Sequence, residues 1–297
     1  MLNRFTAILI VFVMMCFITA NTANSGWFAK YRKQFSECSS KQIQHIEDIQ
    51  YADKNMRCKL DIYKTNTSAK EKPIILFVHG GGWKRGDKSE SVKKGKYFAE
   101  NGYIFISINY PLFPYAGYKA QAESVARAVA WTYKHAEGYN GSRKDIILMG
   151  HSSGGHLVAL IATDDSYLKS VNLGLKNIRE TILIDAAGLD ILRIKRSHPR
   201  AFSIIYNPVF GNDPKILKRA SPIAHIRDDK YIPPFLIFHS TFNRKISQPS
   251  KDFFNRAHKK NTRTRIYGIR ANHFKINNRI GDKEDKITQI IIDHLQR

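Results

Sequence analysis

The chain alternates between short, uninterrupted apolar runs and longer segments whose apolar residues recur every three or four positions, and each pattern predicts a different element. The run at 74–78 reads as a strand buried on both faces, and 103–108, 145–149, 181–184 and 235–238, with the more polar 59–63 and 265–269, read as strands as well. Helical spacing occupies 89–100, 155–163, 248–260 and 282–295, and is strongest over 119–136, where Ala122, Val125, Ala126, Val129 and Ala130 make one stripe. Strand following helix in this rhythm implies an α/β fold with a mostly parallel central sheet covered by helices on both faces. The pattern begins near residue 49, so 49–297 reads as one domain and 24–48 as a loosely organised extension with some helix. Residues 189–234 break the rhythm with several prolines, the cations Arg193, Lys195, Arg196 and Arg200, and few strand signals. An irregular insertion between two strands reads either as a lid or pocket wall, or as a crossover carrying one or two helices.

The first 23 residues do not belong to this pattern. Arg4 is the only charge before Lys30, residues 7–18 are apolar, and small polar residues follow from Ala20 to Ser25. That order predicts a secretory signal peptide, hence a secreted or periplasmic protein. The run is short against the ~20 residues of a membrane span, and an uncleaved anchor is the competing reading. Removing it leaves Cys38 and Cys58, an even count in an oxidising compartment, for which a disulfide is the expectation and two separate buried thiols the alternative.

The composition of the full 297 residues, 43% apolar with a formal net charge of +23, supports a large core inside a strongly basic surface. The Lys and Arg residues run along the whole chain instead of gathering in one tail or helix. They therefore predict a solvated surface that associates with an anionic cell-envelope layer, not a specific nucleic-acid reader. No grouping of His, Cys, Asp and Glu has metal-site spacing, so neither a metal nor an organic cofactor is expected.

Two glycine-rich stretches carry the candidate chemistry. Gly150-His151-Ser152-Ser153-Gly154 sits between the run at 146–149 and a helical segment. A serine hydroxyl is a weak nucleophile and has to project from a sharp strand-to-helix turn toward a base, which small flanking residues allow. His79-Gly80-Gly81-Gly82-Trp83 directly follows the strand at 74–78. Its backbone, with that of the residue after the serine, predicts an oxyanion hole built from the amides of Gly81, Gly82 and Ser153. Of eleven histidines, His273 follows the last predicted strand, so its loop emerges at the same sheet edge as Ser152. It is the expected general base.

On these stretches, with Ala220-Ser221-Pro222, the run 234–239 and His273-Phe274, the chain resembles the α/β-hydrolase esterases: the group that includes hormone-sensitive-lipase-like carboxylesterases, feruloyl and acetyl esterases and kynurenine formamidases. The resemblance covers roughly 49–295. It implies hydrolysis of a small-molecule carboxylic ester through an acyl-serine. It also implies a triad aspartate after the strand at 235–238, in a segment resembling His-Gly-x-x-Asp, where this chain has His239-Ser240-Thr241-Phe242-Asn243. An arginine usual after Tyr110 and an aspartate usual at Ser124 are absent too. Asn243 can hold an imidazole but brings no charge, and three outcomes follow. Asp190 substitutes as the acid, a Ser152–His273 pair works slowly on activated esters, or the site serves as a binding pocket without turnover at an anionic surface.

Overall fold

The computed structural model describes residues 42–52, 56–67 and 71–296. Among them, eight strands form one sheet in the order β1-β2-β4-β3-β5-β6-β7-β8. In chain order they are β1 Ile43–Gln50, β2 Lys59–Thr65, β3 Lys72–Val78, β4 Ile104–Ile108, β5 Gly141–His151, β6 Ile178–Ile184, β7 Phe235–Ser240 and β8 Arg265–Ile269. The pairs β1–β2 and β2–β4 are antiparallel, and every pair from β4 to β8 is parallel. The longer helices are α1 Val92–Glu100, α2 Tyr118–His135, α3 Ser153–Ile161, α4 Ile191–Ser197, α5 Arg244–Lys260, α6 His273–Asn278 and α7 Lys286–Leu295.

Strand periodicity divides the core into two layers. Ile74, Leu76 and Val78 of β3 pack with Val125 and Val129 of α2, Leu157 of α3 and Phe253 of α5. Ile75 and Phe77 face the other way, against Phe98 of α1 and Ile287 and Ile291 of α7. The central strands carry uninterrupted apolar runs, such as Ile146 to Met149 of β5 and Ile182 to Ile184 of β6, because both faces are covered there. Each fully buried Ile or Leu contributes roughly 1.5–3 kcal/mol.

The sheet starts earlier than the pattern near residue 49 implies. In β1 the half-buried residues are Ile43, Ile46 and Ile49, a spacing of three instead of two. A bulge between Ile46 and Ile49, with Asp48 at φ 59°, shifts the register, and the extra residue puts Ile46 and Ile49 opposite Ile62 and Leu60, on one face despite their odd spacing. Cys58 is a buried free thiol whose Sγ lies 3.9 Å from Ser124 Oγ. Its expected partner Cys38, like the signal peptide at 1–23, lies outside the described residues.

Residues 189–234 fold as a helical crossover. After α4 the chain runs through short turns at Pro199–Ala201, Phe202–Tyr206, Asn207–Phe210, Pro214–Arg219 and Pro222–His225. Tyr206 and Phe210 pack on Trp83, with ring centroids 5.4 and 4.9 Å away. The insertion is thereby both a connection and a wall over the glycine loop.

Candidate active site

Parallel strands end at one edge, and β3, β5, β6, β7 and β8 deliver the polar groups of one cleft there. Ser152 follows β5 directly, at φ 53° and ψ −117°, and α3 starts at the next residue. This reversal leaves no room nearby for side chains. A Cβ on Gly154 would stand 2.1 Å from the Val78 carbonyl oxygen and 2.4 Å from that of His79. Main-chain bonds fix the turn to the end of β6: the Ser152 amide donates to Ile184 O at 3.0 Å, and the Ala187 amide donates to Ser152 O at 3.1 Å. Asp185 lies between those two anchors.

His273 Nε2 is 2.9 Å from Ser152 Oγ, and its Nδ1 is 2.7 Å from Asp185 Oδ2. Asp185 has no exposed surface and sits at φ 45°. Its other oxygen, Oδ1, accepts the Ser240 amide of β7 at 2.7 Å. A buried carboxylate held from both sides orients the imidazole with its proton on Nδ1, leaving Nε2 free to accept from the serine. Ser152, Asp185 and His273, in that chain order, form one hydrogen-bonded relay.

The acid is therefore neither of the residues expected. Asn243 begins α5, where its Oδ1 accepts the Lys245 amide at 3.1 Å. The helix starts four residues before the expected 248, because Pro249 resembles a first-turn proline and hides the true start. Asp190 has the same task at α4, accepting the Arg193 amide at 3.0 Å. Both are helix caps. Asp185 was missed because it ends its strand with no loop residues between, five positions ahead of Asp190. Its position directly after an apolar run, between serine and histidine, was the available signal.

Gly80, Gly81 and Gly82 line the cleft with Ser152 and His273, joined by Arg85, Ile205 and Phe274. An ideal Cβ on Gly80 would lie 3.1 Å from Ser152 Cβ, so the loop rests against the serine turn. At φ 122°, Gly81 brings its own Cα so near Arg85 O that a Cβ would stand 2.0 Å away. Ser153 opens α3 beside the serine. The cleft encloses about 540 Å³.

Three neighbouring histidines hold the frame. Burial pulls His156 down to about 4, and the neutral ring accepts from Trp83 Nε1 at 3.2 Å while Nε2 donates to Ala220 O at 2.8 Å. It thus ties the glycine loop to the crossover. His79, pulled down by burial to about 4, stacks on Tyr110 at 4.6 Å. His151 is pulled down to about 3 by burial, with the His273 and Lys94 charges adding to it. Ser124 Oγ donates to Ala120 O at 2.9 Å and accepts a hydrogen bond from Arg127 at 3.3 Å.

Away from the cleft, His45, Glu47 and Asp61 present ligand atoms within 4.8 Å of one another. Lys88 Nζ pairs with one of its two carboxylates, 2.8 Å from Asp61 Oδ1, and with Asp48 Oδ1 at 2.8 Å.

Comparison with known proteins fits this arrangement. The BD-FAE family matches residues 60–256, which spans β2 through most of α5. The chain belongs to the BD-FAE family. This BD-FAE member is 27% identical over 204 residues to the esterase LipQ of Mycobacterium tuberculosis, covering 65% of this chain and 47% of that protein. It is 29% identical over 121 residues to a kynurenine formamidase of Salmo salar, covering 40% of this chain and 39% of that protein. The chain spans about half the length of the curated relatives it matches. Esterase B from Lactobacillus Rhamnosis superposes with a TM-score of 0.68 at 15% identity, over 91% of this chain and 93% of that one. That likeness establishes the α/β-hydrolase fold.

Proposed function

We propose that this BD-FAE member is a serine esterase that hydrolyses a small-molecule carboxylic ester. The observation that carries the reading is the Ser152–His273–Asp185 relay, with both hydrogen bonds at 2.9 Å or less, in a cleft walled by a triple-glycine loop. His273 Nε2 removes the hydroxyl proton as Ser152 Oγ attacks the ester carbonyl carbon. The carbonyl π electrons move to oxygen, and the amides of Gly81, Gly82 and Ser153 receive the negative charge. The C–O bond then breaks, the imidazolium protonates the departing alkoxide, and an acyl-serine remains. Water, deprotonated by His273, attacks that acyl group, the acyl–Oγ bond breaks, and the imidazolium returns the proton to Ser152 Oγ as the acid leaves. The Asp185 carboxylate stabilises the imidazolium.

The alternative of a binding protein without turnover rested on Asn243, and a buried carboxylate on His273 removes that support. Esterases and a formamidase among the relatives favour acyl transfer. The order of charge, apolar run and small residues over 1–25 supports export to the periplasm or beyond, and the charge of +23 supports retention at an anionic envelope.

A fluorophosphonate probe and p-nitrophenyl acetate test the reading together. The protein is expected to label at one serine and to hydrolyse the ester, and Ser152→Ala to do neither. Wild-type protein that neither labels nor turns over excludes the proposed activity.

A further inference from the structure

Charge on this molecule is not distributed evenly around the cleft. The segments that leave the catalytic ends of β6, β7 and β8 are 191–212, 241–251 and 270–281, and they hold four, three and three Lys or Arg residues with no Asp or Glu. Among the described residues, Arg193 alone of these cations forms a salt bridge, with Asp252. Arg200, Arg244, Lys245, Lys275 and Arg279 are exposed.

The same three segments expose large apolar side chains. Ile204 is 74% exposed, Phe242 64% and Phe274 66%. Ile205, beside Ile204, lines the cleft with Phe274. Phe242 is attached to the same edge, since its amide donates to Ser240 Oγ, which donates in turn to Ala271 O. Scattered exposed apolar residues are ordinary, but exposed apolar side chains on the segments that leave the cleft edge of the sheet, among cations of which Arg193 alone is paired with a carboxylate, fit a face that meets an anionic, partly apolar surface. A nucleic acid or acidic polysaccharide would use the cations and leave the isoleucine and phenylalanines without an apolar phase to enter.

We propose that this face seats on an anionic lipid surface, with Ile204, Phe242 and Phe274 entering the headgroup layer and the surrounding cations pairing with lipid phosphates. The cleft then opens onto the lipid phase and takes its ester from there, a consequence that rests on the esterase reading above. Docking itself does not depend on that reading.

The test uses the full chain carrying Ser152→Ala, mixed with vesicles of phosphatidylcholine alone or with added phosphatidylglycerol, in a sedimentation assay. Binding is expected to be about tenfold or more tighter to the anionic vesicles and to weaken as salt screens the attraction. Arg244→Gln with Lys245→Gln is expected to weaken it about fivefold per cation removed, and Ile204→Ser with Phe242→Ser about tenfold. In the Ser152 background the same double variants keep the wild-type rate on soluble p-nitrophenyl acetate, which reports an intact fold. Equal binding to both vesicle types overturns the proposal, as does binding unaltered by both double variants, which would assign it to the apolar run at 7–18 or to the charge at large. Capture by heparin or DNA without vesicle binding overturns it in favour of a polyanion. Loss of ester hydrolysis with vesicle binding intact would refute the esterase reading alone.

Discussion

At the residue scale, the decisive group is Asp185. Its carboxylate has no exposed surface and accepts from His273 and Ser240, so removing its charge leaves the imidazole without a stabilising partner when it takes the serine proton. Asp185→Asn is expected to lower kcat by about 10⁴, the magnitude seen when a serine-protease triad loses that charge. Asp190→Ala and Asn243→Ala should each leave kcat near wild type and cost only ~1 kcal/mol of stability as lost helix caps. Asn243→Asp should bring no gain in rate. Steady-state kinetics on p-nitrophenyl acetate with urea unfolding of each variant checks all four, and a rate lost in Asn243→Ala but kept in Asp185→Asn would reverse the assignment. The serine, the histidine and the glycine loop were legible because each sits in a local pattern: a strand, a turn residue, a helix. The acid had no such pattern around it, and a carboxylate next to an apolar run looks the same in sequence whether it caps a helix or holds a histidine.

At the element scale, the strand-to-helix turn at 150–154 is a contact between backbones. Gly154→Ala pushes a methyl carbon against two main-chain oxygens that cannot rotate away, so the turn or β3 has to move. The expected cost is about 3 kcal/mol, toward the upper end for overpacking, with kcat falling as Ser152 leaves the reach of His273. Gly138, with open space around its would-be Cβ, is the control: Gly138→Ala should be neutral or slightly stabilising. Urea midpoints of the two variants differ strongly if the close approach is what demands glycine at 154. The repeating elements themselves were readable in advance, since β3, β4, β6 and β7 each carry a short uninterrupted apolar run. The bulged edge strand β1 and the true start of α5 were not, because a bulge and an internal proline disguise the periods by which elements are recognised.

For the whole molecule, burial of basic groups sets the response to pH. His79, His151 and His156 titrate at about 4, 3 and 4 in the folded chain, against ~6.5 once unfolded. Between those values the unfolded chain binds more protons, so stability is lost as pH falls below about 6.5. The loss is roughly 2 kcal/mol per histidine between pH 7 and pH 5. Urea unfolding at the two values is expected to show it, with a smaller drop in His151→Asn; an unchanged midpoint would refute the account. Lys94 acts at the other end of the scale. Nearly buried on α1, with its ammonium 5.4 Å from the Phe77 ring centroid, it is pulled down by burial to about 8. The folded chain carries that charge at a cost below pH 8, and the cost fades as pH rises toward the unfolded value near 10.5. Lys94→Met is therefore expected to stabilise the protein by ~1–3 kcal/mol at pH 7 and progressively less above pH 8, as read from thermal unfolding across that range.

The sequence by itself determined the α/β architecture, the serine turn, the histidine that meets it and the glycine loop, because each is encoded within a few consecutive residues whose period or flexibility announces it. Which carboxylate completes the relay was decided only by the tertiary structure. That choice depends on three strand ends, β5, β6 and β7, meeting at one edge, where main-chain bonds from Ser152 to Ile184 and from Ala187 to Ser152 hold Asp185 between them. Distance through space, and not separation along the chain, sets which acid an imidazole can reach.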